Sequence, residues 1–341
     1  MRVISVANKI VETVPVPDAA TRLAIRMLVS HTRRQLAHAP ADGERGFALD
    51  MARRSIAEHP ESANAQHYEL PPEFFGLILG PRRKYSCCLY EDGAVSLAEA
   101  ERRALDETMA HADLLDGQRI LELGCGWGSL TLLMAERFPN AAITAISNSA
   151  PQGRYIRQEA DTRRLTNIRV ITADMNEFRP DTVFDRIVSV EMFEHMANWR
   201  ALLSRVRSWL TPGGRFFMHI FTHAHASYRF NHLDEADWIA KYFFTGGIMP
   251  SQTLIQHFPD LFSVERQWAW NGENYARTAI DWLANFDANR AQIEAILRGI
   301  YGTDAELWRR RWRLFFLATA GLFGHTGGRE WGVSHYLLKP A

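Results

Sequence analysis

Residues 120–129 of the chain read ILELGCGWGS, an apolar run that ends in three alternating glycines. The stretch Arg119–Gly124 has the length and apolar content of a buried strand, and a helical pattern begins directly after the last glycine. Gly124, Gly126 and Gly128 allow the backbone to turn tightly and to approach a ligand, because glycine has no Cβ atom. The stretch therefore predicts a strand, a glycine loop and a helix, an arrangement that often binds a nucleotide.

The spacing of these glycines, G-x-G-x-G, differs from the G-x-G-x-x-G of sites that bind nicotinamide dinucleotides. Those sites also place an acidic residue about 20 residues further on, where it binds the ribose. Here the second strand runs into AISNSAPQ (residues 145–152), which contains no Asp or Glu. A nicotinamide cofactor is therefore disfavoured, and on the loop alone a strand–helix turn without a ligand remains an alternative.

Strand and helix patterns alternate along the chain. Apolar runs of strand length occur at Arg119–Gly124, Ala142–Ser147, Ile168–Asp174, Phe184–Met192, Gly214–Phe221, Phe262–Trp270 and Trp331–Lys339. Helical patterns occur at Asp18 to about His38, Phe47–Ala57, Gln152–Leu165, Trp199–Leu210, Thr278–Ile300 and Ala305–Phe323. This alternation predicts an α/β fold with a doubly wound, mainly parallel sheet that helices cover on both faces.

Charged side chains balance in this sequence, with 39 Lys and Arg against 39 Asp and Glu. No overall field attracts nucleic acid or an anionic membrane, so we expect a small-molecule ligand. The three cysteines, Cys87, Cys88 and Cys125, form no metal-binding pattern and predict thiols in a reducing cytosol. The N-terminus lacks the apolar core of a signal peptide, and no apolar run could span a bilayer, so a cytoplasmic protein without integral membrane association is expected.

Four segments after the strand ends carry a resemblance to a known family. LELGCGWGSL (121–130), ISNSAPQ (146–152), ADM (173–175) and SVEMFEHM (189–196) follow the order and spacing of class I S-adenosylmethionine-dependent methyltransferases. More narrowly, the chain resembles cyclopropane fatty acid synthases, mycolic acid methyltransferases and coclaurine-type N-methyltransferases from about His67 onward. YFFTGGIMPS (242–251), WLANFD (282–287) and EWGVSHYLLK (330–339) are most similar to the N-methyltransferase branch. The resemblance implies a seven-stranded Rossmann-like sheet and S-adenosylmethionine as the cofactor.

The same resemblance implies how the chain is organised. We expect a helical N-terminal segment (1–66), a region that caps cofactor and substrate (67–118) and a cofactor-binding core (119–222). A lid (223–261), with Gly246 and Gly247 as hinges, and a C-terminal part (262–341) with helices of the substrate pocket would complete the domain. Aromatic residues that could wall this pocket are Trp238, Tyr242, Phe243, Phe244, Trp268, Trp282, Phe315 and Phe316. The oligomeric state stays open, a homodimer being one option.

The family pattern also assigns the cofactor contacts. It implies that the glycine loop meets the methionine part of the cofactor and that Tyr85 and Ser86 lie near its amino-acid end. Asp174 and Met175 would contact the adenine, although Asp174 could instead cap the following turn. Ser147, Asn148 and Gln152 complete the expected set, in which Ser147 and Gln152 replace the usual acidic ligand of the ribose.

Three ionisable residues mark the end of the fourth predicted strand. Glu191, Glu194 and His195 are costly to bury unless they meet a partner or transfer protons, although a helix cap at Glu194 is a simpler reading. In the coclaurine-type branch, the matching residues are implicated in holding and deprotonating an amine, and Glu69 is a further candidate. A protonated amine cannot attack a methyl group, so a base is required. The expected activity is therefore N-methylation of a small aromatic or cyclic, isoquinoline-like amine.

Two alternatives differ in chemistry. A cyclopropane synthase would act on the double bond of an acyl chain, and in that branch the positions of Cys87, Glu194, His219 and Tyr275 hold a bicarbonate that serves as base. Phe221 stands where that branch has isoleucine. The second alternative is a scaffold that binds the cofactor without catalysis. The histidines of residues 219–232 have no cysteine or carboxylate cluster beside them, so no metal site is predicted.

Overall fold

The computed structural model describes residues 12–14, 16–38, 40, 42–58, 70–90, 96–231, 233 and 237–341. In chain order, its strands are β1 (Arg119–Leu123), β2 (Ala142–Ser147), β3 (Ile168–Thr172), β4 (Phe184–Val190), β5 (Leu210–His223), β6 (Tyr228–Arg229), β7 (Ile248–Met249), β8 (Phe262–Trp270) and β9 (Trp331–Pro340). Seven of them form one sheet, and β6 pairs with β7 apart from it.

The order of the strands in the main sheet is β3-β2-β1-β4-β5-β9-β8. Strands β1 to β5 run parallel, and β9 runs antiparallel to both β5 and β8. The order reverses between β1 and β4, and at such a switch point doubly wound sheets bind ligands beyond the carboxyl ends of the strands. The structure confirms the predicted seven-stranded, mainly parallel sheet.

The helices lie on both sides of this sheet and beyond its switch point. They are α1 (Asp18–Leu36), α2 (Gly43–Met51), α3 (Pro72–Ile78), α4 (Leu97–His111), α5 (Ser129–Arg137), α6 (Ala150–Arg163), α7 (Trp199–Ser208), α8 (Trp238–Tyr242), α9 (Glu273–Ala288), α10 (Arg290–Tyr301) and α11 (Ala305–Phe323). No helix in these described ranges is long and apolar enough to cross a membrane.

Each face of the sheet has its own apolar core. On one face, residues of α4 and α5 such as Met109 and Leu133 pack against Val188 and Phe217. On the other face, residues of α2 and α7 pack with Leu123, Ile187 and Phe216. Burial on both faces explains why the central strands are continuous apolar runs rather than alternating ones.

A third cluster, rich in aromatic residues, covers the carboxyl edge of the sheet. Helices α1, α3, α9, α10 and α11 contribute to it, together with the segment around α8. Phe243 stacks on Phe315 with centroids 4.5 Å apart, and Trp312 lies 5.1 Å from both Phe74 and Phe243. Of the eight aromatic residues predicted to wall the pocket, seven belong to this cluster or pack against it.

The prediction for Trp268 is wrong. Its ring belongs to the core between the sheet and α4, and it stacks on His111 with centroids 3.8 Å apart. Period-two alternation along β8 points this side chain to the α4 face, away from the aromatic cluster.

Two predicted helices have other bounds. The pattern Thr278–Ile300 is divided into α9 and α10, because Asn289 between them donates its side-chain amide to the carbonyl oxygens of Leu77 and Asn285 at 2.8 and 3.1 Å. The pattern Phe47–Ala57 contains only the end of α2. Beyond it, the carbonyl of Ile56 accepts a hydrogen bond from the N–H of Ala197 at 2.7 Å instead of continuing a helix.

Two predicted strands end earlier than expected, and this matters for the site. β3 stops at Thr172 and β4 at Val190, so that Asp174 and Glu191 lie in the loops that follow them. Both residues therefore stand at the carboxyl edge of the sheet, where side chains can turn toward a ligand.

Candidate active site

The glycine loop between β1 and α5 has left-handed backbone at Gly124, Gly126 and Gly128, with φ of +78°, +52° and +78°. The three glycines have different surroundings. A Cβ atom at Gly124 would lie 2.8 Å from Met192, and one at Gly128 would lie 2.7 Å from Ile156, whereas one at Gly126 would meet nothing within 4 Å. Gly128 thus allows α5 and α6 to pack closely, and Gly126 faces open space.

A cleft with about 800 Å³ of space between protein atoms, partly open to solvent, begins at this loop. Most residues expected to bind the cofactor line it: Gly124, Gly126, Ser147, Asn148, Gln152, Asp174 and Met175. An adjoining cavity is lined by Tyr85 and Ser86 and shares Gly126 and Gln152 with the cleft. The structure brings the expected set together except for Gly128, which lines neither space.

The polar groups of this part of the cleft suit a nucleoside ligand. Ser147 Oγ donates to Gln152 Oε1 at 2.8 Å, which orients the amide. Gln152 Nε2 is buried and has no hydrogen-bond partner among the described residues, so a donor remains for an acceptor in the cleft. Asp174 Oδ1 accepts from the N–H of Asn176 at 2.7 Å, so this carboxylate caps its local turn and also lines the cleft.

At the other end of the cleft, three groups lie within hydrogen-bond distance of the carboxylate of Glu191. Its Oε1 accepts from the N–H of Cys87 at 2.9 Å and lies 3.2 Å from His219 Nε2, and its Oε2 accepts from the Tyr275 hydroxyl at 2.6 Å. We call this group the Glu191 centre. Burial raises the pKa of Glu191, although Lys84 and the hydroxyl of Tyr275 favour its charged form.

The backbone of Glu191 is left-handed, with φ of +47°. A residue with a Cβ atom adopts this conformation at a cost of roughly 1–2 kcal/mol. Such strain persists where the surrounding structure fixes it, and it is found often at functional sites. Here the hydrogen bonds to the carboxylate hold the side chain in place at the end of β4.

Glu194 and His195 occupy a short 3₁₀-helix, Phe193–His195, directly after the Glu191 loop. His195 lines the cleft and stacks on Phe244 with centroids 4.4 Å apart. Burial lowers the pKa of His195 to about 4, so its imidazole is neutral at pH 7. The segment that contains Phe244 also brings Thr245 to the cleft.

Glu194 lies behind the cleft wall and lines neither cavity. Its Oε1 accepts from the N–H of Phe221 on β5 at 2.7 Å, so it caps the strand rather than a helix. Burial, reinforced by the charge of Glu191, raises the pKa of Glu194 well above its usual value. Glu69, the remaining residue expected in the substrate site, lies outside the described residues.

Sequence reasoning missed Lys84. This lysine is 1% exposed, and its Nζ donates to Ser86 Oγ at 2.5 Å and to the carbonyl of Cys87 at 2.6 Å. It supplies positive charge beside the Glu191 centre. Lys84 directly precedes Tyr85 in KYSCC, but lysine side chains are rarely buried. The sequence therefore gave no signal that this lysine would lie buried beside Glu191.

The residues that would hold a bicarbonate in the synthase branch have other partners here. His219, Tyr275 and the N–H of Cys87 do converge, but on the carboxylate of Glu191. Within the described ranges, no group of three or more His, Cys, Asp or Glu side chains is arranged to hold a metal ion.

Comparisons with known proteins agree with this geometry. Residues 56–326 match the family model of mycolic acid cyclopropane synthetase. The (S)-coclaurine N-methyltransferase of Thalictrum flavum subsp. glaucum is 35% identical over 294 residues, which cover 85% of this chain and 81% of that protein. The cyclopropane-fatty-acyl-phospholipid synthase of Escherichia coli (strain K12) is 28% identical and is covered over 70% of its length.

Among solved structures, the crystal structure of coclaurine N-methyltransferase bound to N-methylheliamine and SAH matches with a TM-score of 0.93. The two chains are 32% identical, and the match covers 97% of this chain and 98% of that one. The strand order, the glycine loop and the cleft define an S-adenosylmethionine-dependent methyltransferase, and S-adenosylmethionine is its cofactor. Within this class, the chain belongs to the mycolic acid cyclopropane synthetase family.

Proposed function

We propose that this enzyme methylates the nitrogen of a small aromatic or cyclic amine of the isoquinoline type. The observation that carries the proposal is the Glu191 centre, which places a fixed carboxylate on the wall of the cofactor cleft. Relatives at 35% and 34% identity are named as N-methyltransferases of (S)-coclaurine, which supports an amine as the substrate.

The residues of the cleft would bind and deprotonate an ammonium ion. S-adenosylmethionine supplies a methyl carbon that its sulfonium already activates, so the protein mainly positions the amine and exposes its lone pair. Glu191 attracts the ammonium and accepts its proton, directly or through His195. The raised pKa of Glu191 makes it a stronger base than an exposed glutamate, and the neutral imidazole of His195 can also accept.

The same centre disfavours the alkene reaction. A cyclopropane synthase of the kind described above would need Cys87, His219 and Tyr275 for a bicarbonate, but their donors are engaged by Glu191. An added anion would have to displace a carboxylate that is part of the chain. We therefore propose that Glu191 takes the chemical place of a dissolved base, and that turnover does not depend on bicarbonate.

The aromatic cluster beside the cleft supports a cationic, flat substrate. Phe244 packs on His195, and Phe221 lies 5.5 Å from Phe244. Aromatic faces stabilise an ammonium ion by about 0.5–2 kcal/mol when water is excluded. The segment 223–261 would serve as the cover of this pocket, and its closing on substrate remains a prediction.

One experiment separates the amine from the alkene. The enzyme is incubated with methyl-labelled S-adenosylmethionine and either 1,2,3,4-tetrahydroisoquinoline or an unsaturated phospholipid, each with and without added bicarbonate. We expect labelled tertiary amine at a rate that bicarbonate does not change. Bicarbonate-dependent labelling of the lipid, with the amine inert, would overturn the proposal, and labelling of neither would favour a scaffold.

The compartment and assembly stay predictions. Within the described residues, Cys87, Cys88 and Cys125 are buried and form no disulfide, which supports the expected reducing cytoplasm. A homodimer would be tested by light scattering of the purified chain.

A further inference from the structure

Three histidines continue the Glu191 centre away from the cleft in a line of polar contacts. His219 Nε2 lies 3.2 Å from Glu191 Oε1, and His219 Nδ1 lies 2.8 Å from His335 Nε2. His335 Nδ1 lies 2.8 Å from His111 Nδ1, and His111 Nε2 lies 3.4 Å from Glu107 Oε1. Both ring nitrogens of each histidine therefore face a polar atom of the next residue.

The sheet itself aligns these groups. His219 on β5 and His335 on β9 are paired residues of the antiparallel ladder, and Trp268 on β8 is the next residue across. Paired residues project their side chains from the same face of a sheet. That face carries α4, whose last residue, His111, stacks on Trp268 and so reaches His335.

The line of histidines runs from the buried interior to a residue that is exposed to solvent. His219 and His335 are both fully buried, whereas the side chain of Glu107 is 37% exposed. Burial lowers the pKa of His219 and His335 well below the usual value and that of His111 to about 4, so all three rings are neutral at pH 7. Neutral imidazole has one donor and one acceptor nitrogen, as a chain of proton transfers requires.

An apolar core would not need these residues. Each buried imidazole costs free energy unless both its nitrogens are satisfied, and the surrounding face is otherwise built from residues such as Phe217, Val188 and Leu337. The three histidine rings contact one another, and the line that they form ends at the carboxylate of Glu191. This arrangement indicates a function in addition to packing. The methylation mechanism uses none of them directly.

We propose that His219, His335 and His111 form a proton relay, which carries the proton of the substrate amine from Glu191 to Glu107 and water. This inference rests on the proposed N-methylation, because that reaction delivers a proton into a cleft that must exclude water around the reacting groups. A substrate that binds as an ammonium ion cannot react until this proton has left.

Each step moves a proton and leaves the number of bonds unchanged. The carboxyl of Glu191 gives its proton to His219 Nε2 while His219 Nδ1–H passes its own to His335 Nε2. His335 Nδ1–H then donates to His111 Nδ1, and His111 Nε2–H donates to Glu107, from which water takes the proton. After the transfer every ring is in its other tautomer, with its N–H directed toward Glu191, and each ring must rotate so that this N–H again faces Glu107 before the next turnover.

The charges around the relay favour transfer of the proton along the histidines over its retention on one of them. Lys84 beside Glu191 lowers the pKa of both His219 and His335, and Arg266 near Trp268 lowers that of His111. A proton would therefore not rest on a ring as imidazolium. Other ionisable groups near the inner end are His195 and Tyr275, together with Glu194 behind the cleft wall.

Two variants interrupt the relay, one at its buried centre and one near its solvent-exposed end. His335→Gln removes the central ring, and His111→Gln removes the half-buried outer one, while glutamine can keep a hydrogen bond without passing a proton along. Ser334→Ala is the matched control, since Ser334 is another buried polar residue of β9 that lies outside the line. Thermal melting of all three shows whether the fold is retained, and His111→Gln serves if His335→Gln does not fold.

The assay uses 1,2,3,4-tetrahydroisoquinoline, a strongly basic amine, and 1,2,3,4-tetrahydroquinoline, whose nitrogen is conjugated with the ring and unprotonated at neutral pH. We expect both relay variants to lower kcat for the basic amine about tenfold at pH 7, below the effect of a directly acting base, with KM unchanged. The loss should shrink at pH 9.5, where more of the amine enters without its extra proton. The relay variants on the weakly basic amine, and Ser334→Ala on either amine, should show no loss.

The outcomes are distinct. Equal losses at pH 7 and pH 9.5, or equal losses on the two amines, would mean that the histidines only support the structure, and no loss would mean that the proton leaves by another path. Either result overturns the relay while N-methylation stands. If the wild-type enzyme methylates neither amine, the proposed function fails and the relay fails with it.

Discussion

The cofactor half of the cleft and its catalytic half are built in opposite ways. The cofactor half takes its residues from short segments directly after β1, β2 and β3, each of which has a local sequence signature. The catalytic half joins Cys87, Glu191, His219 and Tyr275, which are far apart in the chain. The first half leaves polar groups such as Gln152 Nε2 for a ligand, whereas the second satisfies its own polar groups.

This difference has a physical basis. A site that binds a cofactor must offer open space and unsatisfied donors, because the ligand completes it. A site that accepts a proton must hold its base in one position beforehand, and several hydrogen bonds to Glu191 do so. Substitutions in the two halves should therefore change different constants.

The largest effect is expected from Glu191→Gln. It keeps the shape of the side chain but removes the base, so kcat for tetrahydroisoquinoline should fall by roughly 10²–10⁴-fold. Glu194→Gln is the matched control, because burial raises the pKa of Glu194 well above its usual value and glutamine resembles the neutral acid that burial favours. Steady-state kinetics measure kcat of both variants. A loss in Glu194→Gln as large as in Glu191→Gln would show that the assignment of Glu191 as the base is wrong.

The next effect concerns the cofactor half. Gly126→Val fills the open space beside the loop, so the affinity for S-adenosylmethionine should fall about 100-fold, which corresponds to about 2.7 kcal/mol. Gly213→Val controls for backbone strain, since Gly213 also has positive φ and open space around its Cβ position but lies in a turn of β5 away from the cleft. Calorimetric titration gives the dissociation constants, and equal affinities would show that the loop is only a turn.

A smaller effect is expected from Tyr275→Phe. It removes one of the hydrogen bonds that hold the Glu191 carboxylate and should lower kcat about tenfold, since a hydrogen bond to a charged group contributes about 1.5–3 kcal/mol. Cofactor affinity should stay at the wild-type value, because Tyr275 contacts the catalytic half. A change in affinity with kcat unaltered would mean that the two halves are not separate.

The last effect is on stability rather than on turnover or affinity, and it is a pH dependence in the cofactor half. Burial raises the pKa of Glu122 to about 8 despite its hydrogen bond from Thr131. A raised folded-state pKa means that the stability present below the unfolded value, about 4.3, is lost as pH rises toward 8. Glu122→Gln should thus gain about 3–4 kcal/mol relative to wild type between pH 5 and pH 8. Urea denaturation at both pH values checks this, and a constant difference would contradict it.

The fold, and the grouping of the expected cofactor residues around one cleft, could be predicted from the sequence for the same physical reason. A buried parallel strand is a continuous apolar run, and a glycine loop follows it within a few residues, so both signals are local. Gly128 shows the limit of this reasoning, since its spacing in G-x-G-x-G resembles a ligand contact but its role is to let α6 approach. Spacing alone does not distinguish a close helix from a close ligand.

For the catalytic half, the sequence pointed to most of the individual residues but not to the hydrogen bonds that join them. Glu191, His219 and Tyr275 were all singled out, but in two competing chemistries, and only the folded chain shows that they belong to one hydrogen-bonded group. Lys84, His111 and His335 gave no sequence signal, because their positions depend on tertiary burial and on the pairing of β5 with β9.

The pairing of His219 with His335 also bears on how related sequences should be aligned. Residues 324–330 connect α11 to β9 and line neither cavity of the site. An inserted residue there that moved β9 by one position would turn His335 to the opposite face of the sheet, because side chains alternate along a strand. If the proposed relay operates, the length of this connection matters because it sets the position of His335, and a homologue with an insertion that shifts β9 would need a different route for its protons.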